Sequence, residues 1–469
     1  MSGKGTILIF SANHEENQQT DWILYGPLIV YTLLKEAGFK VIYIQEFMTP
    51  DYEPIIREHA RDLLFFGVSA TTDQIPLSLK GIQVLKKIAP DVPVVWGGCH
   101  ATLLPQETLQ SPYADYVIPG KVKDNLVRFA KALQAGDRAE INTIPNVLTS
   151  SSPAANDPGA GIVDYRSDEL VYPRIPFEDF DFSSLLTQNR VLNYMPSLGC
   201  PGSCGFCPWG EKHAWNRVSL ERTLADIDYL IRTYDLSQLW FSDATLAPEK
   251  EFLLGIAEGI LARKLNVTWR CFARIPEFDK LTAQEYADLD RSGLDAVFFG
   301  VESMNRTCQK ILRKKNSPKR MEKVISMMGA TRIKPYVSFL FAIPDAPLAH
   351  LEEDRQHLDL WQSLNPGVIY QVGFYVYYPG SHLAELVAAR GFDVPRSLEA
   401  WGARYGKNRF KPTRDHHIPW FEADYNRAYV ERFFEIFPDV HEDRKETSWN
   451  KSLKRYEQNP PLPAGAEGL

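Results

Sequence analysis

The chain of 469 residues contains six cysteines. Disulfide frameworks belong to small, cysteine-dense secreted domains, so the thiols of a chain this long are expected to be reduced. An excess of positive charge is also missing. Lys and Arg number 52 against 59 Asp and Glu, a net charge of −7, and the basic face that nucleic acid or an anionic membrane requires is not there. Long hydrophobic runs are absent as well. The N-terminal MSGKGTILIFSANHEEN holds one short apolar stretch before charge resumes, too short for a signal peptide. No uninterrupted apolar segment nears the roughly 18 residues of a membrane span. These absences point to a cytoplasmic chain with no nucleic-acid partner and no membrane span. What the chain does have is 44% hydrophobic and 24% charged residues, the balance of a folded protein with a sizeable core. Its length suits two or three domains.

Alternating patterns fill the first 135 residues. GTILIF (5–10), KVIYI (40–44), LLFFGVSA (63–70), PVVWGG (93–98) and ADYVIPG (114–120) read as strands. YGPLIVYTLLKEAG (25–38), PLSLKGIQVLKKIAP (76–90) and VKDNLVRFAKALQAG (122–136) carry apolar residues at helical spacing. Such alternation predicts a parallel sheet covered by helices, with ligands at the carboxyl ends of its strands. The loops from Ser69 and Gly97 are therefore the first places to look. From 137 to 190 the chain turns rich in Pro, Ser, Asn and Gly, the texture of a linker. Alternation resumes over 191–390 with VLNYMPS, QLWFSD, VTWRCFA, AVFFGVES, PYVSFLFAI and VIYQVGFYVYYPG as strands. Helical stretches follow most of them, SLERTLADIDYLIRTY with Ser219 as N-cap among them. Six such units would make a partial barrel. Residues 391–469 are charged and aromatic and end in a Pro/Gly-rich segment expected to be disordered.

Three of the six cysteines, Cys200, Cys204 and Cys207, fall within LGCPGSCGFCPWG (198–210). The other three, Cys99, Cys271 and Cys308, stand singly among apolar neighbours and read as small core residues. Three clustered thiolates can serve a metal or a redox couple. A structural zinc site wants a fourth Cys or His, and the nearby candidate is His213. A thioredoxin-like motif has no use for a third thiol. An iron–sulfur cluster needs thiolates on a loop of small residues that wraps the cubane and donates hydrogen bonds to its sulfides, which Gly202, Ser203 and Gly205 can do. Three protein ligands on four irons would leave one iron open.

The Cys-x3-Cys-x2-Cys spacing, with Phe206 before the third cysteine and the loop following the first barrel strand, resembles the radical S-adenosylmethionine (SAM) enzymes. The resemblance implies a four-iron, four-sulfur (4Fe-4S) cluster on Cys200, Cys204 and Cys207, with the open iron chelating the amino and carboxylate groups of SAM. Reductive cleavage would then release a 5′-deoxyadenosyl radical. Other positions follow the same pattern. WFSDATL (240–246) is similar to a second-strand motif, F-x-D-D-x-F, in which Phe241 and Asp243 match while Ala244 and Leu246 depart. Asp243 would meet the SAM amino group, and Arg274, at the end of strand three, its carboxylate. FFGVESMN (298–305) matches the strand-four G-x-E-S, which places Glu302 at SAM, and Phe206 joins these cofactor contacts. YPGS (378–381) resembles the P-G-[ST] turn after strand six.

The domain before the barrel resembles the cobalamin-binding domain of the B12-dependent radical SAM subfamily. The matching stretches are YGPLIVYTLLKEAGFKVIYI, GVSATT (67–72) and GGCHATLLPQETL (97–109). Carried over, cobalamin contacts fall on Ser69, Thr71, Thr72, Gly97, Gly98, His100, Thr102 and Gly120. Two departures stand out. No D-x-H-x-x-G presents a lower cobalt ligand, and the subfamily's G-E-G-E turn is here PGKVKD (119–124), which keeps Gly120 alone. The fold expected is α/β: a Rossmann-like cobalamin-binding domain (1–136), a linker (137–190), a partial (β/α)6 radical SAM barrel (191–390) and a small α-rich C-terminal cap or substrate region (391–469).

The implied reaction is methylation of an unactivated carbon of a small-molecule, natural-product or lipid-like substrate, using the 5′-deoxyadenosyl radical and methylcobalamin. The implied partners are that substrate and an external electron donor such as flavodoxin or ferredoxin, with the chain acting as a monomer. Radical rearrangement, cyclisation or oxidation without methyl transfer is the first alternative. A B12-free enzyme with a vestigial first domain, and a regulatory cobalamin- or zinc-binding protein, are the others.

Overall fold

The computed structural model describes residues 5–13, 22–150, 172–186, 189–208, 215–405, 418–438 and 440. The chain divides into two compact units, the first made of 1–165, 171–186 and 393–408, the second of the remainder.

In the first unit, strands β1 (Thr6–Ser11), β2 (Lys40–Gln45), β3 (Leu63–Ser69), β4 (Val94–Gly97) and β5 (Tyr116–Val117) form one sheet in the order β2-β1-β3-β4-β5. All its pairings are parallel. The helices Tyr25–Glu36, Ile75–Ile88 and Asp124–Ala135 fall where the helical spacing placed them. Ile7, Ile9, Phe65 and Val95 pack with Leu126, Phe129 and Ala130 in one core. Helix Ile75–Ile88 lies so close to β1 that a Cβ on Gly81 would come within 2.6 Å of the Phe10 ring. Strand β5 keeps two of the seven residues its apolar run suggested, because Pro119 and Gly120 turn the chain away. Gly120 has a left-handed φ of +80°.

Part of the expected linker is packed. Tyr172, Ile175, Phe177, Phe182 and Leu185 are buried, and the Tyr31 hydroxyl donates to Asp179 at 3.0 Å. The aromatic spacing of YPRIPFEDFDF supplies enough apolar anchors to hold this segment on the first unit, despite its prolines.

The second unit holds β6 (Val191–Tyr194), β7 (Ser197–Leu198), β8 (Asn216–Arg217), β9 (Gln238–Phe241), β10 (Thr268–Ala273), β11 (Leu294–Glu302), β12 (Lys334–Phe341) and β13 (Ile369–Phe374). Strands β7 and β8 form a short antiparallel pair. The other six make a parallel sheet in the order β13-β12-β11-β10-β9-β6. Spatial order thus follows chain order, as right-handed βα repeats require, in the arrangement of an open (β/α)6 barrel. Ser219 caps helix Leu220–Tyr234 by accepting from the Arg222 amide at 3.2 Å. Among the described residues no helix is long and apolar enough to cross a membrane.

The C-terminal region, expected as one cap, is split. Helix Leu398–Tyr405 belongs to the first unit, while helix Ala423–Ile436 belongs to the second. There Phe433 packs on Phe341 with ring centroids 5.1 Å apart. The Tyr429 hydroxyl accepts from the Ala342 amide and contacts His350 Nε2, each at 2.8 Å. Arg409, Arg414, His416, His417 and the tail from 441 lie outside the described residues.

Candidate functional site

Strand β7 leads into the cysteine loop. Gly199 turns the chain with a φ of +89°, and two backbone straps then hold the loop. The Gly205 amide donates to the Leu312 carbonyl at 2.7 Å, and the Leu383 amide donates to the Gly205 carbonyl at 2.8 Å. A Cβ on Gly205 would stand 3.0 Å from the Ile311 carbonyl oxygen, so this approach needs glycine. The Gly202 amide donates to Cys200 Sγ at 3.4 Å. A Cβ on Gly202 would meet Cys200 Sγ at 3.4 Å, and Cys204 Sγ and Arg274 Nε at 3.7 Å. Two thiols and a guanidinium therefore converge around one glycine.

All three loop cysteines are half-buried and unbridged, Cys271 and Cys308 are buried as expected, and Cys99 is exposed. The expectation for Cys99 fails because the backbone turn at Gly98 sets it at the open start of a helix. Among the described residues, which do not include the zinc candidate His213, no three His, Cys, Asp or Glu side chains group tightly enough for one metal ion. A single zinc draws each sulfur to about 2.3 Å, whereas a cubane presents a separate iron to each thiolate. Half-exposed thiols around a glycine cradle, with an amide already turned to one sulfur, fit the cubane.

Arg274 ends β10 and begins helix Ile275–Phe278. Sequence reading missed its partner. Buried Glu277 accepts from the Arg274 amide at 2.8 Å and from Thr245 Oγ1 at 2.6 Å. Its other oxygen lies 3.9 Å from Arg274 Nη1 and is buried without a hydrogen bond. Burial raises the Glu277 carboxyl above its ordinary value, against the pull of those hydrogen bonds and of Arg274. Asp243 is placed differently from Arg274. It is 1% exposed, and its Oδ1 accepts from the Ser197 amide at 2.6 Å and from the Ser197 hydroxyl. Its Oδ2 is buried without a partner. Burial pushes this carboxyl up to about 7, although the Ser197 hydrogen bonds oppose it. In this structure Asp243 anchors the start of the cysteine loop.

Glu302 closes β11 with a left-handed φ of +66°, at a register shift between Gly300 and Glu302. The bend turns its carboxylate back over Gly300, where a Cβ would lie 2.7 Å from Glu302 Oε1. Lys314, also missed from sequence, completes this group. Its Nζ donates to the Gly300 carbonyl at 2.8 Å, lies 3.3 Å from Glu302 Oε1, and stands 5.6 Å from the centroid of Phe206. Burial pulls the Lys314 ammonium down, but Glu302 and Cys204 hold it above its ordinary value. The YPGS turn also acts on the loop: Ser381 caps helix His382–Ala389 by accepting from the Ala384 amide at 3.1 Å, which fixes Leu383 on Gly205.

Alternation puts Trp240, Arg270, Phe272, Phe298 and Tyr336 on one face of the sheet. Phe298 stands 5.1 Å from Trp240, 5.3 Å from Phe272 and 4.5 Å from Tyr336. Buried Arg270 pairs with Asp295 at 3.1 Å. Toward the carboxyl ends, Gly300, Ser338 and Gln371 stand in register, and Gln371 is exposed. An aromatic floor thus carries a small, neutral, open layer.

The first unit offers its own edge. Ser69, Thr71, Gly97, Gly98 and Gly120 are partly exposed at the carboxyl ends of β3 to β5, while Thr72, His100 and Thr102 are buried behind them. A Cβ on Gly98, whose φ is +82°, would come within 2.6 Å of the Ala70 amide nitrogen. Thr102 Oγ1 accepts from the Gly120 amide at 2.8 Å, joining the β4 and β5 loops. Thr71 closes a capping box with Gln74. Thr72 Oγ1 meets His100 Nδ1 at 3.1 Å, and burial lowers the His100 imidazole to about 3. A neutral, enclosed histidine is a brace in the wall. The open edge of glycines and hydroxyls fits a large amide- and phosphate-bearing cofactor, since nothing but backbone and small side chains stands in its way.

Residues 17–130 match the family model described as the B12 binding domain, and residues 194–358 match that of the radical SAM superfamily. An uncharacterized methyltransferase of Pyrococcus horikoshii is 24% identical over 311 residues, 64% of this chain and 65% of that protein. The anaerobic magnesium-protoporphyrin IX monomethyl ester cyclase of Rubrivivax gelatinosus is 22% identical over 350 residues, 72% of this chain and 62% of that one. The chain thus spans just under two thirds of the length of these relatives. Among solved structures, the radical SAM methyltransferase TsrM of Kitasatospora setae, with cobalamin and a 4Fe-4S cluster bound, matches with a TM-score of 0.66 at 14% identity. That match covers 82% of this chain and 78% of that one. The cobalamin-dependent SAM radical enzyme OxsB matches with a TM-score of 0.65 at 16% identity, over 82% of this chain and 61% of that one. At these identities the structures share the fold.

Proposed function

Because this chain belongs to the B12-binding radical SAM proteins, we propose that it methylates an unactivated carbon of a small-molecule substrate. The observation that carries the proposal is a three-thiol loop on a radical SAM sheet in one chain with a B12-binding domain whose strand edge is open. A cluster held by Cys200, Cys204 and Cys207 would supply one-electron reductive chemistry toward SAM, and a cobalamin held on the Ser69, Gly97 and Gly98 edge would supply methyl-carrier chemistry.

The chain's own residues bind and orient. Cys200, Cys204 and Cys207 hold the cluster, and the straps on Gly205 fix their loop. Arg274, steered by Glu277, takes the SAM carboxylate. Glu302, paired with Lys314 and backed by Phe206, takes the ammonium or ribose of SAM. Asp243 acts through Ser197 to set the loop rather than by touching SAM. Trp240, Phe272 and Phe298 keep water from the reacting atoms, which protects a radical from side reactions. Ser338 and Gln371 offer hydrogen bonds to a neutral substrate. Ser69, Thr71, Gly97, Gly98 and Gly120 take the cobalamin tail, with Lys121 and Lys123 standing where the subfamily has glutamates. The electron comes from an external donor of the flavodoxin or ferredoxin kind.

Similarity to the cyclases favours a second reading, radical ring closure without methyl transfer. Incubation of cluster- and cobalamin-loaded protein with SAM, reductant and extracts of candidate substrates separates the two. Methylation requires S-adenosylhomocysteine alongside 5′-deoxyadenosine, and deoxyadenosine with product but no S-adenosylhomocysteine would refute it.

A further inference from the structure

The first unit contains a segment from far along the chain, residues 393–408, that the family motifs do not explain. Its helix, Leu398–Tyr405, buries Leu398 and Trp401 completely, an i, i+3 pair on one face. Gly402 faces the start of the helix after β3: a Cβ there would make ordinary van der Waals contact, 3.4 Å from Ile75 Cγ2 and 3.7 Å from the Pro76 nitrogen. On this side the helix leans on the start of helix Ile75–Ile88, which follows the β3 loop. On the other side it is tied to the segment after β4. Trp401 Nε1 donates to Glu107 Oε2 at 3.0 Å, and Ser111 Oγ donates to Glu399 Oε1 at 3.0 Å.

The Trp401 ring also stands edge-on to the His100 ring at 5.8 Å and 70°. His100, in the β4 loop, holds the β3 loop at two points, since its Nδ1 meets Thr72 Oγ1 and its backbone amide donates to the Ala70 carbonyl at 3.0 Å. Trp401 therefore presses on a side chain that links the β4 loop to the β3 loop.

We propose that helix Leu398–Tyr405 is a built part of the cobalamin-holding end, with Trp401 and Glu107 as positioning residues that brace the His100–Thr72 link behind Ser69, Gly97 and Gly98. The proposal rests on the cobalamin-binding reading of the first unit. Cobalamin must find both loops in place at once. A chain in which they are braced only a fraction of the time binds with its affinity reduced by that fraction. Trp401→Ala removes the indole that faces His100 and leaves Glu107 without its donor. Trp401→Phe keeps the ring edge and loses the hydrogen bond alone, and Glu107→Gln keeps an acceptor for the indole.

The test is equilibrium binding of hydroxocobalamin to the full chain, followed by visible absorbance and by tryptophan emission. Trp401→Ala should weaken binding by about tenfold or more, as expected if the braced edge is populated a tenth of the time. Trp401→Phe and Glu107→Gln should stay within about threefold of the parent, below 1 kcal/mol. The emission that Trp401→Phe removes should be the component quenched when cobalamin saturates the parent. SAM binding to the cluster-loaded protein serves as the folding control and should be the same in all variants. Unchanged affinity in a folded Trp401→Ala chain would overturn the proposal, and tighter binding would overturn it by making the helix an obstruction. If Trp401→Ala fails the control, Trp401→Leu, which fills the space without a ring edge, takes its place with the same expected loss, and parental affinity in that variant would refute the brace. No binding by the parent would overturn the cobalamin reading and this proposal together.

Discussion

Lys314→Met is the most informative single change near the cysteine loop. Methionine keeps the length and apolar stem of lysine and deletes the charge. The side chains of Lys314 and Glu302 are 14% and 12% exposed, with Nζ and Oε1 3.3 Å apart, so solvent can replace little of what is lost. The same ammonium donates to the Gly300 carbonyl at 2.8 Å. A hydrogen bond to a charged group contributes about 1.5–3 kcal/mol, and a buried charge stripped of its partner costs at least as much. If the carboxylate so disturbed is the one that receives SAM, the dissociation constant should rise about ten- to a hundredfold. Equilibrium dialysis of SAM against oxidised, cluster-loaded protein measures it without turnover. Lys314→Arg should recover part of the affinity, since a guanidinium can reach the same two acceptors. Parental affinity for SAM in Lys314→Met, with the cluster intact, would refute the assignment of Glu302 to SAM.

Cys204→Ala should abolish 5′-deoxyadenosine formation, read by chromatography, while hydroxocobalamin binding persists, because the two sites sit on separate units. Asp243 has a folded pKa raised to about 7, so its contribution to stability is lost as pH rises from its unfolded value near 4 through 7. Thermal unfolding of the apo-chain should fall over that window by about 1 kcal/mol per pH unit, and Asp243→Asn should flatten the slope. Burial holds His100 neutral, with its pKa lowered to about 3. Because His100 is also fully buried behind the edge with its Nδ1 on Thr72 Oγ1, the bound cobalt(II) form should show no imidazole nitrogen splitting in its paramagnetic resonance spectrum, and the low pKa should leave that spectrum unchanged between about pH 5 and 8.

How far the sequence could be read depended on how local each signal was. The cysteine loop was legible because its ligands and glycines lie within eight residues, and one short stretch carries the whole pattern. The strands were legible because buried parallel strands are continuous apolar runs. Lys314 was not, since its partnership with Glu302 depends on a bulge and a left-handed φ that bring back a residue twelve positions upstream. Glu277 carried no signal of its own in the sequence, because its place beside Arg274 depends on the turn of helix Ile275–Phe278. The contact of Trp401 with His100 joins residues some three hundred positions apart, and no periodicity reports such a pair. Cys99 misled because apolar neighbours resemble a core in sequence, while the turn at Gly98 exposes it.

The central claim is that one chain holds both an iron–sulfur cluster on Cys200, Cys204 and Cys207 and a cobalamin on the Ser69–Gly97–Gly98 edge. The direct measurement is the iron, sulfide and cobalamin content of anaerobically reconstituted protein after gel filtration, with the Cys200, Cys204 and Cys207 alanine variants in parallel. The account predicts about four irons, four sulfides and one cobalamin per chain, with loss of iron and sulfide but retention of cobalamin in each variant. Iron and sulfide that persist without the three cysteines, or a parent chain that elutes free of cobalamin, would contradict it.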